Sequence, residues 1–409
     1  MSCLASAPTR QIPQNRYEQL TKKINMRLIQ IAILFLALFG CKQTNSQDKK
    51  ETLINEKHID QVAMELLNDS LINALSIGIY YKGESLTKHY GELDKLKNNK
   101  PTDETIYEIA SVTKTFIGNL IAQAENENQL SLEDDIRKYL NHPFKNLEYQ
   151  GKPIRIKHLL THTSELPRFL PESINELFEN ASEDLPFQIA AIENGYSKTK
   201  FLEDLENVSI NSVPGTRFSY SNADTELAAN ILETIYGKSI DEILEEKIFS
   251  RNNMPDTKIN LSKNQIIRLA NGYEKNGKRA PQMTTKLWGA SGGGKSTIID
   301  VINYIKLQLD QTNVIIQKTQ QSLYDKEVIY GDPKNKIGYY WVLNQDEEFG
   351  KSISHHGGAF GSQNWLVIYP EQDLGISIIT NQGDWQTSGK LMEIIGDIKY
   401  EIAKAHNNR

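Results

Sequence analysis

Apolar and polar positions alternate with a period of two in Leu75-Ser-Ile-Gly-Ile-Tyr-Tyr81 and again in Ser85-Leu-Thr-Lys-His-Tyr90. Side chains of an extended chain point to opposite faces in turn, so the pair reads as a β-hairpin around Lys82-Gly83-Glu84. Before it, Asp60 to Leu67 has helical spacing. After it, Phe116, Ile117, Leu120, Ile121 and Ala124 fall on one stripe of a helix that opens near Ser111. From about residue 130 to 310 the pattern is mostly helix and loop, including helices through Leu227, Ile231 and Ile235 and through Ile298, Val301, Ile302 and Ile305. Strand patterns return at Tyr339–Leu343, Lys351–His355, Leu366–Tyr369 and Gly375–Thr380, and a last helix is expected over about 387–405. Strands at both ends with helices between predict an α/β (α+β) fold. In it, one antiparallel sheet is built from the two chain ends and flanked by helices. A mainly helical subdomain is inserted over about 130–310, within a folded domain spanning 57–405. A cleft between the two parts is the natural place for a site.

One apolar run belongs to neither part. Ile29 to Phe39 is short, follows Lys22, Lys23 and Arg27, and ends at Gly40-Cys41. Too short to span a bilayer, it reads as a targeting segment over 1–41, and Met26 begins a compact one. The cysteine at its end resembles a bacterial lipoprotein signal. It implies export, cleavage before Cys41, lipidation there and a membrane-anchored protein on the periplasmic or outer-membrane side. The polar residues 42–56 then read as a flexible tether. The other cysteine, Cys3, lies upstream of the cleavage point, which leaves no disulfide in the mature chain.

Composition narrows the partners. Apolar content of 39% and charged content of 24% are ordinary for a globular protein, and a net charge of −6 argues against a nucleic-acid partner. The expected partners are a small-molecule or peptide substrate, and a membrane only through the lipid at Cys41, for a monomer with no cofactor and no metal. His158 and His162 have the four-residue spacing of a zinc site, but Leu159 stands where a metalloprotease needs Glu. They read as histidines satisfied by local hydrogen bonds.

The chemistry gathers in three short runs. Ser111 and Lys114 are three apart at the head of an apolar helix, so hydroxyl and amine share a face. A serine hydroxyl is a weak nucleophile until a neighbouring base takes its proton, and an amine kept neutral by burial is such a base. Ser-x-x-Lys also occurs at Ser46, Ser85 and Ser197, but only Ser111 opens a helical pattern. A turn at Pro214-Gly-Thr-Arg-Phe-Ser-Tyr220-Ser-Asn222 presents a phenol and a carboxamide before a helix. His355-His356-Gly357-Gly358 puts imidazoles at a strand end, followed by glycines along which a substrate could lie.

With these three runs in this order, the chain resembles the penicillin-recognising serine hydrolases. That family includes class C β-lactamases, certain D-alanyl-D-alanine carboxypeptidases and related esterases. The resemblance covers about residue 60 to 400 and extends to Leu159-Leu-Thr-His-Thr-Ser164 and Leu374-Gly-Ile-Ser-Ile-Ile-Thr-Asn381. It implies a β-lactamase/transpeptidase-like fold and an acyl-enzyme on Ser111. Lys114 and Tyr220 would share proton transfer, Asn222 would hold the substrate and Lys114, and His355 would position or polarise substrate and Tyr220. The backbone N–H groups of Ser111 and Gly358 would form the oxyanion hole, with Gly357, Gly358 and His356 near the substrate. His356-Gly-Gly358 fits the third tripeptide as well; Gly361, six residues after His355, favours His355. Two departures matter. Class C lactamases carry Lys where His355 stands, so slow β-lactam turnover is expected, with better activity on an ester or D-amino-acid peptide. Binding of carboxylate substrates should then weaken as pH rises through the His355 pKa. Glu165 replaces the glycine usual after this family's His-Thr-Ser run.

Two other readings compete. Gly289-Ala-Ser-Gly-Gly-Gly294-Lys295-Ser296 matches a phosphate-binding loop in full, which would make the chain an ATPase. The helix that must follow is present, with Thr297 and Asp300 as a capping pair, but no apolar strand precedes the glycines. The other reading is a catalytically inactive binding protein on the same fold.

Overall fold

The computed structural model describes residues 54–68, 72–193, 195–283, 285–327 and 329–407. Ile29–Phe39, Cys41 and the polar segment as far as residue 53 lie outside these, with the expectations placed on them. The tether expected through residue 56 does not reach that far. Ile54 is buried, and the Asn55 side chain accepts the His58 N–H to cap the first helix.

Alternation builds the central sheet. Strands β1 (Ala74–Tyr81) and β2 (Glu84–Gly91) form the expected hairpin, turning at Lys82 and Gly83, both at positive φ. Strands β3 (Ile106–Glu108) and β4 (Lys295–Thr297) pair with each other. The later strands are β5 (Lys336–Gly338), β6 (Trp341–Asp346), β7 (Gly350–Ala359), β8 (Ser362–Tyr369) and β9 (Leu374–Thr380). The seven-stranded sheet runs β2-β1-β9-β8-β7-β6-β5, and every neighbouring pair is antiparallel. Its centre joins the two ends of the domain, with Leu75 opposite Thr380 and Tyr81 opposite Leu374.

The main helices are α1 (Glu56–Leu67), α2 (Thr113–Asn126), α3 (Asn222–Tyr236), α4 (Ile298–Leu309) and α5 (Trp385–Asn407). Helices α1 and α5 cover one face of the sheet over Leu75, Ile77, Ile79, Leu374, Ile376 and Ile378. Each such buried side chain contributes about 1.5–3 kcal/mol. Helix α4 lies on the other face and opens where expected, the Thr297 hydroxyl accepting the Asp300 N–H at 3.2 Å. It sits so close that a Cβ on Gly375 would fall 2.2 Å from Ile305 Cγ2, so only glycine fits there.

The region 130–310 is mainly helical, with Ile156–Leu160, Ser173–Glu179, Leu185–Glu193, Lys198–Glu206 and α3 among its elements. Its apolar side chains, including Leu159, Ile189, Leu227 and Ile231, pack into one cluster with Ile353, Leu366 and Ile379 of the sheet. The fold is therefore mixed α/β, with an antiparallel sheet from both chain ends and flanking helices, as the sequence predicts.

Boundaries moved where tertiary contacts overrode local pattern. Strand β6 starts at Trp341, because Tyr339 and Tyr340 adopt φ of 50° and 70°. Their hydrogen bonds run sideways, Tyr339 OH to Glu125 and the Tyr340 N–H to the Leu160 carbonyl. Strand β7 continues past His355 through both glycines, and β8 begins at Ser362 rather than Leu366, since each supplies the other's ladder.

Candidate active site

The apolar stripe of α2 fixes the first pair. Phe116, Ile117, Leu120 and Ile121 are fully buried, which anchors the helix and drives its N-terminus into the protein. Ser111 sits just before, in a tight turn of residues Ala110–Val112. Ala110 has a φ of 44°, a left-handed conformation costly for a residue with a Cβ. This turn presents a half-buried Ser111, while Lys114 is completely buried.

Lys114 has three partners. Its Nζ lies 3.1 Å from Ser111 Oγ, 2.7 Å from Asn222 Oδ1 and 2.5 Å from the Ser291 carbonyl oxygen. Burial holds the amine below the ordinary lysine range, opposed by the Tyr220 phenol and the Glu226 carboxylate. A neutral amine has two N–H groups and one lone pair. Two of its partners, the carboxamide and carbonyl oxygens, can only accept. In that neutral form both N–H groups go to them, and the lone pair faces the Ser111 hydroxyl. Tyr220 completes the cluster, its OH donating to Ser111 Oγ at 2.9 Å.

Asn222 and Tyr220 are positioned by the start of α3. Ser221 caps that helix by accepting the Asp224 N–H, leaving Tyr220 just outside and Asn222 at its first turn. Ser111, Lys114, Tyr220 and Asn222 are thus brought together from two distant parts of the chain.

Strand alternation separates the two histidines. His355 faces the core side with Leu366, and burial pushes its pKa down to about 3, in the direction that an ammonium at Lys114 would also push it. His355 Nδ1 is 2.7 Å from the His356 carbonyl oxygen. A carbonyl only accepts, so Nδ1 carries the proton and Nε2 carries a lone pair. The imidazole is neutral near pH 7, and the ionisation expected of it near neutrality is displaced far to the acid side. The structure does not bring His356 to the cluster. Its ring lies on the opposite face, 4.8 Å from the Trp365 ring and 5.2 Å from Trp385, with Nε2 2.7 Å from Gln363.

Gly357 lies against the turn that carries Ser111. A Cβ there would fall 2.2 Å from the Ile109 carbonyl oxygen and 2.5 Å from Asn364 Nδ2, so no side chain fits. Gly358, the next residue, is exposed. Sequence reasoning missed Asn364. Its carboxamide donates to the carbonyls of Ile109 (3.1 Å) and Gly357 (3.0 Å), tying the turn before Ser111 to β7. It also missed Glu226, which lies one turn beyond Asn222 and accepts the Ser291 N–H at 2.7 Å. Burial raises its pKa to about 7. Only helical spacing from Asn222 could have pointed to Glu226, and nothing local to Asn364.

The glycine run is not a phosphate loop. Gly289–Gly292 forms a single helical turn and the strand, β4, comes after the glycines. Lys295 is buried, its Nζ donating to the carbonyls of Ile259 and Gly293. Nor do His158 and His162 share a face. His158 Nδ1 accepts the Arg155 N–H at 3.1 Å, and His162 turns inward to Asp224. Glu165, at the family's usual glycine position, has a φ of 70° and pairs with Arg217 at 2.8 Å.

Known proteins share the fold and stretches of the sequence. The Staphylococcus aureus (strain N315) protein flp is 28% identical over 336 residues, covering 80% of this chain; the chain spans 63% of that protein's length. The D-alanyl-D-alanine-carboxypeptidase/endopeptidase AmpH of Escherichia coli (strain K12) is 24% identical over 84% of this chain and 89% of its own. A beta-lactamase/D-alanine carboxypeptidase from Yersinia pestis, solved with citrate, shares the fold with a TM-score of 0.72. It is 20% identical and covers 85% of this chain and 97% of its own. The beta-lactamase family model matches residues 59–395, nearly the whole described fold, and the chain belongs to that family of serine hydrolases.

Proposed function

We propose that the protein hydrolyses an amide or ester through an acyl-enzyme on Ser111, with a D-amino-acid peptide or small ester as substrate and β-lactams as poor ones. The observation that carries this is the Lys114 amine, buried and tied to two pure acceptors, with its lone pair left for the Ser111 hydroxyl. In the first step Ser111 Oγ bonds to the substrate carbonyl carbon and its proton passes to Lys114 Nζ. The oxyanion that forms is held by the backbone N–H groups of Ser111 and Gly358. Tyr220, hydrogen-bonded to Ser111 Oγ, delivers a proton to the leaving amine or alkoxide and is resupplied from Lys114. Water then repeats the sequence on the ester and releases the acid.

The preference for an ester, or for a peptide bond cleaved away from a terminal carboxylate, rests on His355. A neutral imidazole offers no cation to a substrate carboxylate, whereas its free lone pair can accept an N–H or O–H. AmpH, by its name a D-alanyl-D-alanine carboxypeptidase and endopeptidase, is similar over most of its length, which supports the same class. The test is a turnover panel of a D-alanyl-D-alanine peptide, a nitrophenyl ester and a cephalosporin, with covalent labelling by a fluorophosphonate. Labelling at Ser111 and hydrolysis of peptide or ester are expected. A folded protein that neither labels nor turns over any of them would leave the inactive binding protein as the better reading.

A further inference from the structure

His162 carries features that packing alone does not require. Its φ is 55°, its ring is buried, and Nε2 has no hydrogen-bond partner among the described residues. A leucine or phenylalanine would fill the space without burying an unpaired polar atom, and a glycine or asparagine would take the backbone more easily. Such departures gather where function over-determines a conformation.

The contacts of His162 converge on Tyr220. Its carbonyl oxygen accepts the N–H of Ser219, the residue before, at 2.7 Å. Its Nδ1 accepts the N–H of Ser221, the residue after, at 3.3 Å. Between these two anchors its ring lies 4.5 Å from the Tyr220 ring, tilted by 43°. The ring is itself held. Asp224 Oδ2 lies 3.3 Å from the same Nδ1, and Ser164 donates to the other carboxyl oxygen. Since Nδ1 already accepts the Ser221 N–H, a second partner there must donate to the same lone pair. Asp224 is therefore the protonated acid, the form its complete burial favours. The pair is a neutral imidazole against a neutral carboxylic acid, rigid and without charge.

We propose that His162 is the positioning residue for Tyr220, gripping the segment before and after it and stacking on its ring so that the phenol stays within reach of Ser111 Oγ. This rests on the acyl-enzyme reading above, and it assigns a purpose to the His162-Thr-Ser164 run that the reaction itself does not use. The structure also predicts how the effect is transmitted: only through the Tyr220 hydroxyl.

A double-mutant cycle tests this, read as the rate of Ser111 labelling by a fluorophosphonate. His162→Ala should slow labelling about 10²-fold with little change in the half-saturating probe concentration, the loss expected of a misplaced catalytic group. In a Tyr220→Phe background the same change should add nothing, because no hydroxyl remains to misplace. The cycle is repeated with His162→Asn, which tolerates the positive φ and can accept the Ser221 N–H. This variant should fold and be slowed less than the alanine one, again with no effect beside Tyr220→Phe. A slowing that persists undiminished beside Tyr220→Phe, or a folded His162→Ala that labels at the wild-type rate, overturns the proposal. Wild-type protein that takes no label at Ser111 overturns the acyl-enzyme reading, and this inference with it, whereas label on wild type keeps the two distinguishable.

Discussion

The amine of Lys114 lies 2.5 Å from the carbonyl oxygen of Ser291, in the middle of the glycine run that reads in sequence as a phosphate loop. Gly294 lets the run lie close to α2, where a Cβ would strike Thr113, and Glu226 holds the N–H of the residue whose carbonyl points at the buried amine. What the sequence presents as a nucleotide motif is thus part of the environment of Lys114, the proposed base.

Glu226→Gln should shift the acid limb of kcat/KM to lower pH. On the acyl-enzyme reading, acylation needs Lys114 neutral, so the rate should rise with pH through its pKa. The nearby carboxylate favours the ammonium, and removing its charge lowers that pKa further. Glu226 also binds its proton more tightly in the fold, at about 7 against an ordinary 4.5. Wild-type stability should therefore decline between those values as pH rises, and the variant's should decline less. Rate profiles and urea midpoints across this range check both signs.

His355→Ala should reduce turnover about 10²-fold, the usual loss when a group that positions the reaction is removed. His356→Ala, on the opposite face, should stay within about twofold for the folded protein. With a pKa pushed down to about 3, His355 should add no ionisation between pH 5 and 8, which are about the limits of the physiological window. Steady-state profiles of both variants decide this; a damaging His356→Ala beside a silent His355→Ala would reverse the assignment.

Glu165→Gly and Glu165→Ala should differ in order. Both lose the bridge to the exposed Arg217, worth about 0–1 kcal/mol. Only glycine also relieves the left-handed backbone, whose strain is about 1–3 kcal/mol. The glycine variant should be the more stable of the two in denaturant unfolding, and close to wild type or above it.

Gly375→Ala should destabilise the fold by about 1–3 kcal/mol, since its Cβ would overlap Ile305 and push α4 off the sheet. Calorimetry on the variant measures this directly, and an unchanged midpoint would mean that α4 has room to move.

Much of the frame was legible because it obeys local rules. Leu75, Ile77, Ile79 and Tyr81 alternate, Phe116 to Ile121 follow a helical stripe, and Thr297 caps α4, each as short-range pattern predicts. The pairing of Ser111 with Lys114 followed from helix geometry. Less legible were features made by chain crossings. Tyr339 and Tyr340 look like strand residues, yet contacts to α2 and to Leu160 hold them left-handed. Gly357 and Gly358 look like a strand end, yet β8 keeps them in the ladder. Asn364 and Ser291 reach the site only through distant pairing, which no window of sequence contains. Whether His355 or His356 faced inward needed the register itself, since a slip of one residue exchanges the faces.

The sheet joins β1 to β9, the first and last of its strands in the chain. During synthesis β1 and the Ser111 turn emerge long before their partners, and β7, which completes the site, emerges nearly last. Pairings between such distant segments form slowly, because the loop between them must be closed before contact stabilises it. A nascent or truncated chain therefore holds Ser111 without the strand that carries His355. It also presents one edge of β1 as a row of unpaired N–H and C=O groups. On the acyl-enzyme reading, the site is complete only once β7 has joined the sheet, so its assembly follows the order of synthesis.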